Sequence, residues 1–219
     1  MNILITGSDG LIGGIISREL EKEHNLVLLD KERGVDILED DLKEYFREVD
    51  IVIHLAANPN PFIEWTEAEK NIEIARRVIQ SCEGNNVGRI INASSINVYP
   101  YIDIFESGKR LDDSVDLTSN LVYGDGSYGR GKIEVEKVFE DYCKKNNVAL
   151  LNLRIGCVTP YDTPNKDGNT DELNRQIHLK QSDLINIIKE GLNCKGIESY
   201  VCVSKKNGFV DSSVRLPRD

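Results

Sequence analysis

The chain has 219 residues, a formal charge of -10 at pH 7 and an isoelectric point near 4.9, with its basic residues scattered rather than clustered. That balance argues against nucleic acid and anionic membranes as partners, and no stretch approaches the ~20 apolar residues of a membrane-spanning helix. The length suits one α/β domain with a single core.

The first predicted elements are a short apolar strand, Ile3-Leu4-Ile5-Thr6, and a helix carrying Ile12, Ile15, Ile16 and Leu20, with Gly7, Gly10 and Gly13 at the junction. Glycines at this strand-to-helix turn permit a tight bend and a close approach of backbone to a pyrophosphate. Free N–H groups at the helix start then face the phosphates. A second strand, Asn25 to Leu29, ends at Asp30. A carboxylate there suits the adenosine ribose hydroxyls and repels a 2′-phosphate, so NAD is favoured over NADP. Lys31 and Arg33 are the two cations that could fold back onto a phosphate.

Val35-Asp36-Ile37 follows, with Asp36 and Ile37 placed to meet an adenine ring, and then acidic, helix-like sequence from Asp40 to Arg47. The unbroken apolar run Ile51-Val52-Ile53-His54-Leu55-Ala56-Ala57 reads as a parallel strand covered on both faces. Its small carboxyl-terminal residues leave room for ribose and nicotinamide, and His54 reads as a core histidine. Apolar residues at helical spacing predict a long amphipathic helix over Glu64 to Cys82. The strand Arg89 to Ala93 then delivers Ser94, Ser95, Asn97 and Tyr99 to the carboxyl edge of the sheet, where such folds place ligands.

Pro100 to Asp125 is expected to form a loop or lid. Ser127 is expected to cap a helix carrying Tyr128 and Lys132, which are one helical turn apart and share a face. A strand from Val148 to Ile155, a polar loop from Thr159 to Leu173, a helix from Ser182 to Leu192 capped by Ser182, and a strand from Tyr200 to Val203 complete the chain. Alternating strands and helices imply a doubly wound parallel sheet. Cys82, Cys143, Cys157, Cys194 and Cys202 are odd in number and widely spaced, so free thiols are expected rather than a metal site. With no export signal expected before the apolar run is cut by Gly7 and Asp9, the expected location is cytoplasmic.

Tyr128, Lys132 and Ser95 together supply what oxidation of an alcohol needs: a base, a means of making it effective near neutrality, and a donor that fixes the substrate oxygen. A free tyrosine titrates near 10, so a base working near pH 7 requires roughly 4 kcal/mol of preferential phenolate stabilisation. The Lys132 ammonium and the positive nicotinamide are the expected sources.

With these motifs in view, the chain resembles the extended short-chain dehydrogenase/reductase family, the group of sugar epimerases, dehydratases and dehydrogenases. The resemblance rests on Thr6 to Gly13, Asp30, Asp36-Ile37, His54-Leu55-Ala56-Ala57, Asn71, Ala93-Ser94-Ser95 with Val98-Tyr99, Tyr128 to Lys132 with Glu136, and Leu153 to Gly156. It implies a Rossmann fold over 1–219 with a minimal carboxyl-terminal substrate-side region, 157–219. It also implies Ser95, Tyr128 and Lys132 as catalytic residues. Cofactor contacts are implied for Gly7, Gly10, Leu11, Ile12, Gly13, Asp30, Asp36, Ile37, Leu55, Ala56, Ala57, Asn71, Tyr128, Lys132 and Ile155.

Dehydratases of the family carry Asp-Glu after the active-site Ser or Thr, whereas this chain has Ile96-Asn97, so dehydration is not expected. The short region after Gly156 suits a small substrate, and the chain looks most like the compact uronate and hexose-phosphate dehydrogenases. The expected function is an NAD-dependent oxidoreductase acting on a small sugar, sugar acid or sugar phosphate. Ser95, Asn97 and Arg175 would bind the substrate, Arg175 through any anionic group. An epimerase that retains its NAD and a regulatory dinucleotide-binding protein without turnover are the alternatives. The helices around Glu64–Cys82 and Tyr128–Lys144 are expected to pair across a twofold axis into a homodimer.

Overall fold

A computed structural model describes residues 1–112, 115–117, 126–163, 172–204 and 209–210. Six strands, β1 (Asn2–Thr6), β2 (Asn25–Leu29), β3 (Ile51–His54), β4 (Arg89–Ser95), β5 (Ala149–Ile155) and β6 (Ile197–Cys202), form one parallel sheet in the order β2-β1-β3-β4-β5-β6. The order reverses beside β1, which opens a crevice at the carboxyl ends of β1 and β3.

Alternation along each strand builds two cores. Leu4, Val52, Ile90 and Leu150 face α2 (Trp65–Cys82) and α4 (Ser127–Asn146), meeting Ala75, Val78, Val135 and Phe139. Ile3, Ile5, Ile53, Ile91 and Leu151 face α1 (Leu11–Leu20) and α6 (Gln181–Gly191), meeting Ile15, Ile16, Leu184 and Ile187. Burial on both faces is why these strands read as unbroken apolar runs.

The polar residues that interrupt those runs line up. Thr6, His54, Asn92, Asn152 and Ser199 are successive register neighbours across five strands, all buried or half-buried. The Thr6 hydroxyl contacts His54 Nδ1 at 3.0 Å, and Asn92 Nδ2 donates to Asn152 Oδ1 at 2.9 Å. Burial, with the nearby Lys132 charge, pushes His54 down to about 3, so its ring is neutral, as expected of a core histidine. Asn92 belongs to this buried row.

Several boundaries differ from the sequence expectation. The Asp40–Arg47 region contains only a 3₁₀ turn, Lys43–Phe46, which seats Phe46 in the core without a longer apolar stripe to extend it. The region expected to be a lid contains a short helix, α3 (Tyr101–Glu106), anchored by Tyr101 and Ile104 in a small core; its residues 113–114 and 118–125 lie outside the described residues. Another short helix, α5 (Glu172–Ile177), begins inside the predicted 159–173 loop and carries Arg175. Residues 164–171 of that loop lie outside the described residues.

Neither predicted cap serves as one. Gly126, at φ 75°, is the N-cap of α4, a left-handed conformation that glycine adopts without strain, and Ser127 is the first helical residue. For α6 the boundary residue is Lys180, because the Gln181 N–H donates to Asp162 Oδ1 at 2.6 Å, leaving Ser182 inside the helix.

Candidate active site

Sequence and space agree most closely at the turn after β1. Gly7 sits at φ 70°, and a Cβ there would lie 2.8 Å from the Ala56 amide nitrogen. A Cβ at Gly13 would lie 2.2 Å from the Gly7 carbonyl oxygen, so this glycine lets α1 close onto the turn itself rather than onto the sheet. Gly10 caps α1 without a side-chain bond and the first helical turn has no acidic residue. The positive end of α1 and its first-turn N–H groups therefore face the crevice uncompensated. Thr6 sets the opposite wall, its hydroxyl accepting from the Leu55 and Ala56 N–H groups at 3.2 Å each. Sequence reading gave Thr6 only as part of the glycine motif, since nothing local marks a cross-strand bond.

At the adenosine end, the Asp30 carboxylate accepts from the Asp9 N–H at 3.0 Å and the Glu32 N–H at 3.1 Å, which fixes it at the rim. The two neighbouring cations are engaged. Lys31 pairs with Asp36 at 2.9 Å, and Arg33 forks onto Asp9 at 2.6 and 3.0 Å. The Lys31 bond, helped by the Leu38 N–H, holds the Asp36 carboxyl below its ordinary range. Asn71 lines the cleft but spends both polar atoms on the Asn58 backbone, at 2.8 and 3.2 Å, so it braces the segment after β3.

One cleft of about 930 Å³ runs from Gly10 and Asp30, past Ile37, Ala56 and Ala57, to Ser95, Tyr128, Lys132 and Ile155. It brings together every predicted cofactor and catalytic position. A bare glycine cradle, an uncapped helix start and an elongated trough make a fitting receptacle for a dinucleotide.

At the far end, α4 presents Tyr128 and Lys132, with Lys132 Nζ 5.9 Å from the centre of the Tyr128 ring. Lys132 donates to the Ala93 carbonyl at 2.8 Å, leaving two of its three donors for the cleft. Burial lowers Lys132 to about 8 while the Glu136 charge works the other way. Burial raises the Tyr128 pKa and outweighs the nearby Ser95 hydroxyl, which works to lower it. In the protein alone desolvation wins, and the expected lowering of Tyr128 calls on the positive nicotinamide as well as on Lys132.

Two glycines between Tyr128 and Lys132 let α4 come this close. A Cβ at Gly129 would lie 2.3 Å from the Asn97 carbonyl oxygen, and one at Gly131 would lie 2.9 Å from Ala68 Cβ on α2. Behind them Glu136 ties α4 to the sheet, accepting from Ser94 Oγ at 2.5 Å and from Arg154 at 3.1 and 2.8 Å. Arg154 also donates to the Tyr99 hydroxyl at 2.5 Å. Burial opposes its charge, and Glu136 more than offsets it, so the Arg154 pKa is raised. This is the structural pairing expected of a strand-end arginine.

Of the predicted substrate residues, Ser95 and Asn97 line the cleft and Arg175 does not. Arg175 lies exposed on α5, 3.7 Å from Glu172, and its neighbour Asn174 takes the place on the wall. The helical turn that α5 adds, unseen in the sequence, rotates Arg175 outward. Tyr101 and Val158 also line this end without having been singled out, as does Cys157, expected from the sequence only to be a free thiol.

The family model described as "NAD dependent epimerase/dehydratase family" matches residues 3–193. An L-arabinose 1-dehydrogenase (NAD(P)(+)) of Haloferax volcanii is 30% identical over 173 residues, 73% of this chain and 68% of that protein. A Bacillus subtilis protein named as an uncharacterized UDP-glucose epimerase is 25% identical over 185 residues, 70% of this chain and 55% of that one. Among solved structures, a mutated uronate dehydrogenase superposes with a TM-score of 0.74 at 19% identity, covering 100% of this chain and 82% of that one. The UDP-N-acetylglucosamine 4-epimerase of Bacillus cereus gives 0.72 at 21% identity, covering 92% and 77%.

Proposed function

The chain belongs to the NAD-dependent epimerase/dehydratase family, and from that premise we propose that it oxidises a small sugar, with NAD rather than NADP as hydride acceptor. The observation that carries this reading is the convergence of Ser95, Tyr128 and Lys132 at one end of a dinucleotide-shaped cleft. Bound there, the nicotinamide supplies the hydride acceptor. Tyr128 takes the proton of the reacting hydroxyl, Ser95 donates to its oxygen, and Lys132 favours the phenolate and holds the cofactor ribose with its free donors. Asp30 meets the adenosine ribose, and Lys31 and Arg33, both paired with carboxylates, are not free for a 2′-phosphate.

The arabinose dehydrogenase likeness favours a sugar oxidised with release of reduced cofactor. The cleft wall near Tyr128 carries the Asn174 amide, a group that suits sugar hydroxyls. A screen of neutral aldoses, uronates and hexose phosphates for NADH formation tests the reading. We expect turnover on at least one neutral aldose, and no NADH from any of them would refute it.

The epimerase relatives favour a second reading, in which the cofactor stays bound and the hydride returns to the sugar. Denaturing the purified protein separates the two, because an epimerase releases stoichiometric NAD. A regulatory protein without turnover is disfavoured by the intact, buried Tyr128 and Lys132 pair.

We also place the protein in the cytoplasm, a reducing compartment consistent with five free cysteines. No helix among the described residues is long and apolar enough to cross a membrane. A homodimer is proposed through α2 and α4, whose outer faces carry Trp65, 37% exposed, with Arg130 stacked 5.4 Å from its ring centre. Light scattering at micromolar concentration should give twice the chain mass of 24.6 kDa, and a monomer mass would refute it.

A further inference from the structure

The turn that follows β4 contains a residue whose side chain addresses Ser95 rather than the cleft. Ser95 Oγ accepts from the Asn97 backbone N–H at 3.2 Å and from Asn97 Nδ2 at 3.0 Å. A hydroxyl oxygen has two lone pairs, and both are occupied here. The single Ser95 proton is then the hydrogen-bonding capacity it has left, and Tyr128, which lines the same cleft, is the group whose pKa Ser95 lowers. The same turn is registered against α4 through the Asn97 carbonyl, which a Cβ on Gly129 would strike at 2.3 Å. Asn97 therefore joins the Ser95 rotamer to the helix that carries Tyr128.

We propose that Asn97 is a positioning residue that makes Ser95 a donor only, toward Tyr128 in the resting site and toward the substrate oxygen in the reaction. The consequence is a single route for the proton. With its lone pairs blocked, Ser95 cannot accept from the substrate hydroxyl, so when the O–H bond breaks the proton passes to the Tyr128 phenolate. The hydride pair of the adjacent C–H bond goes to the oxidised nicotinamide, and the carbonyl forms. In the resting site, donation from Ser95 favours the phenolate and works against the desolvation of Tyr128. This revises the role expected for Asn97 from the sequence, where it was a substrate contact.

The inference rests on the reading of Tyr128 as base, and its test separates the two. Asn97→Ala removes one of the two donors to Ser95 and leaves both backbone contacts in place. It should lower kcat/KM about tenfold and move the acid limb of the kcat/KM profile to higher pH. Asn97→Asp keeps the shape but substitutes an acceptor that draws the Ser95 proton away from Tyr128. It should cost more, about a hundredfold, the size of a lost transition-state donor. NAD affinity, read by titration calorimetry, should stay within about twofold for both.

In a Ser95→Ala background the same two substitutions should each cost no more than about twofold, since residues acting through one group are not additive. Full, additive losses in that background, an Asn97→Asp enzyme equal to wild type, or an unmoved acid limb would overturn the proposal. Melting temperatures are read alongside, and if Asn97→Ala fails to fold the cycle is run with the isosteric Asp. Tyr128→Phe belongs to the same series. Undiminished turnover there would refute the base assignment, whereas additive Asn97 and Ser95 losses with an inactive Tyr128→Phe would refute the Asn97 role alone.

Discussion

Tyr128→Phe is expected to lower turnover about a thousandfold, within the range that a positioned general base contributes, while leaving NAD affinity within about twofold. The change removes one oxygen from a ring that is 8% exposed, so packing against Ile63 and Ala68 survives. What disappears is the phenol beside Ser95 and Lys132 in the cleft that we propose accepts the substrate proton. The pH profile carries the sign. Burial raises the Tyr128 pKa, so in the free enzyme the base is protonated at neutral pH. Oxidation needs the phenolate, and kcat/KM should therefore climb with pH and level off once the tyrosine has lost its proton. Residual activity in the phenylalanine variant should lack this limb. Steady-state kinetics across the pH range check both points.

The second large effect belongs to Glu136→Ala and concerns stability first. The Glu136 and Arg154 side chains are 4% and 13% exposed, and the carboxylate serves the guanidinium through two bonds and Ser94 through a third. Removing it leaves a buried guanidinium with Tyr99 as its remaining side-chain partner among these bonds. Breaking a buried pair from one side costs about 3–5 kcal/mol, because the stranded charge is uncompensated. For a chain of this size that corresponds to a fall in Tm of roughly 10 °C. Activity at neutral pH should fall too. Burial already lowers Lys132 to about 8, Glu136 works against that, and without it the ammonium loses its proton nearer neutrality. Thermal melting and a pH profile distinguish the two consequences, and replacement by Gln, which keeps the shape and one acceptor, should recover part of the stability.

Much of this was legible in the sequence because the relevant constraints act on single residue types. Gly7 and Gly13 mark places where a Cβ cannot go, and Asp30 closes a strand whose apolar run is unmistakable. Tyr128 and Lys132 share a face by helical spacing alone. What escaped notice depends on which partner a side chain meets once folded, whether two or fifty residues away. The Thr6 hydroxyl is spent on Leu55 and Ala56, Asn71 on Asn58, and Asn97 on Ser95, so a polar residue near a ligand site turned out in each case to hold the wall. Arg175 was placed in a loop because six residues of helix leave too little periodicity to see, and that helix turns it away from the cleft. Ser127 looked like a cap, yet the left-handed Gly126 before it does the work of starting α4.

The central claim, net hydride transfer from a sugar to NAD with Tyr128 as base, is tested most directly by isotope transfer. L-arabinose and other neutral aldoses deuterated at C1 are incubated with excess NAD, and the cofactor is recovered and weighed by mass spectrometry. The account predicts reduced cofactor carrying the deuterium in proportion to sugar consumed, and none from the Tyr128→Phe protein. Unlabelled, unreduced NAD from every sugar, or equal labelling by the phenylalanine variant, would contradict it.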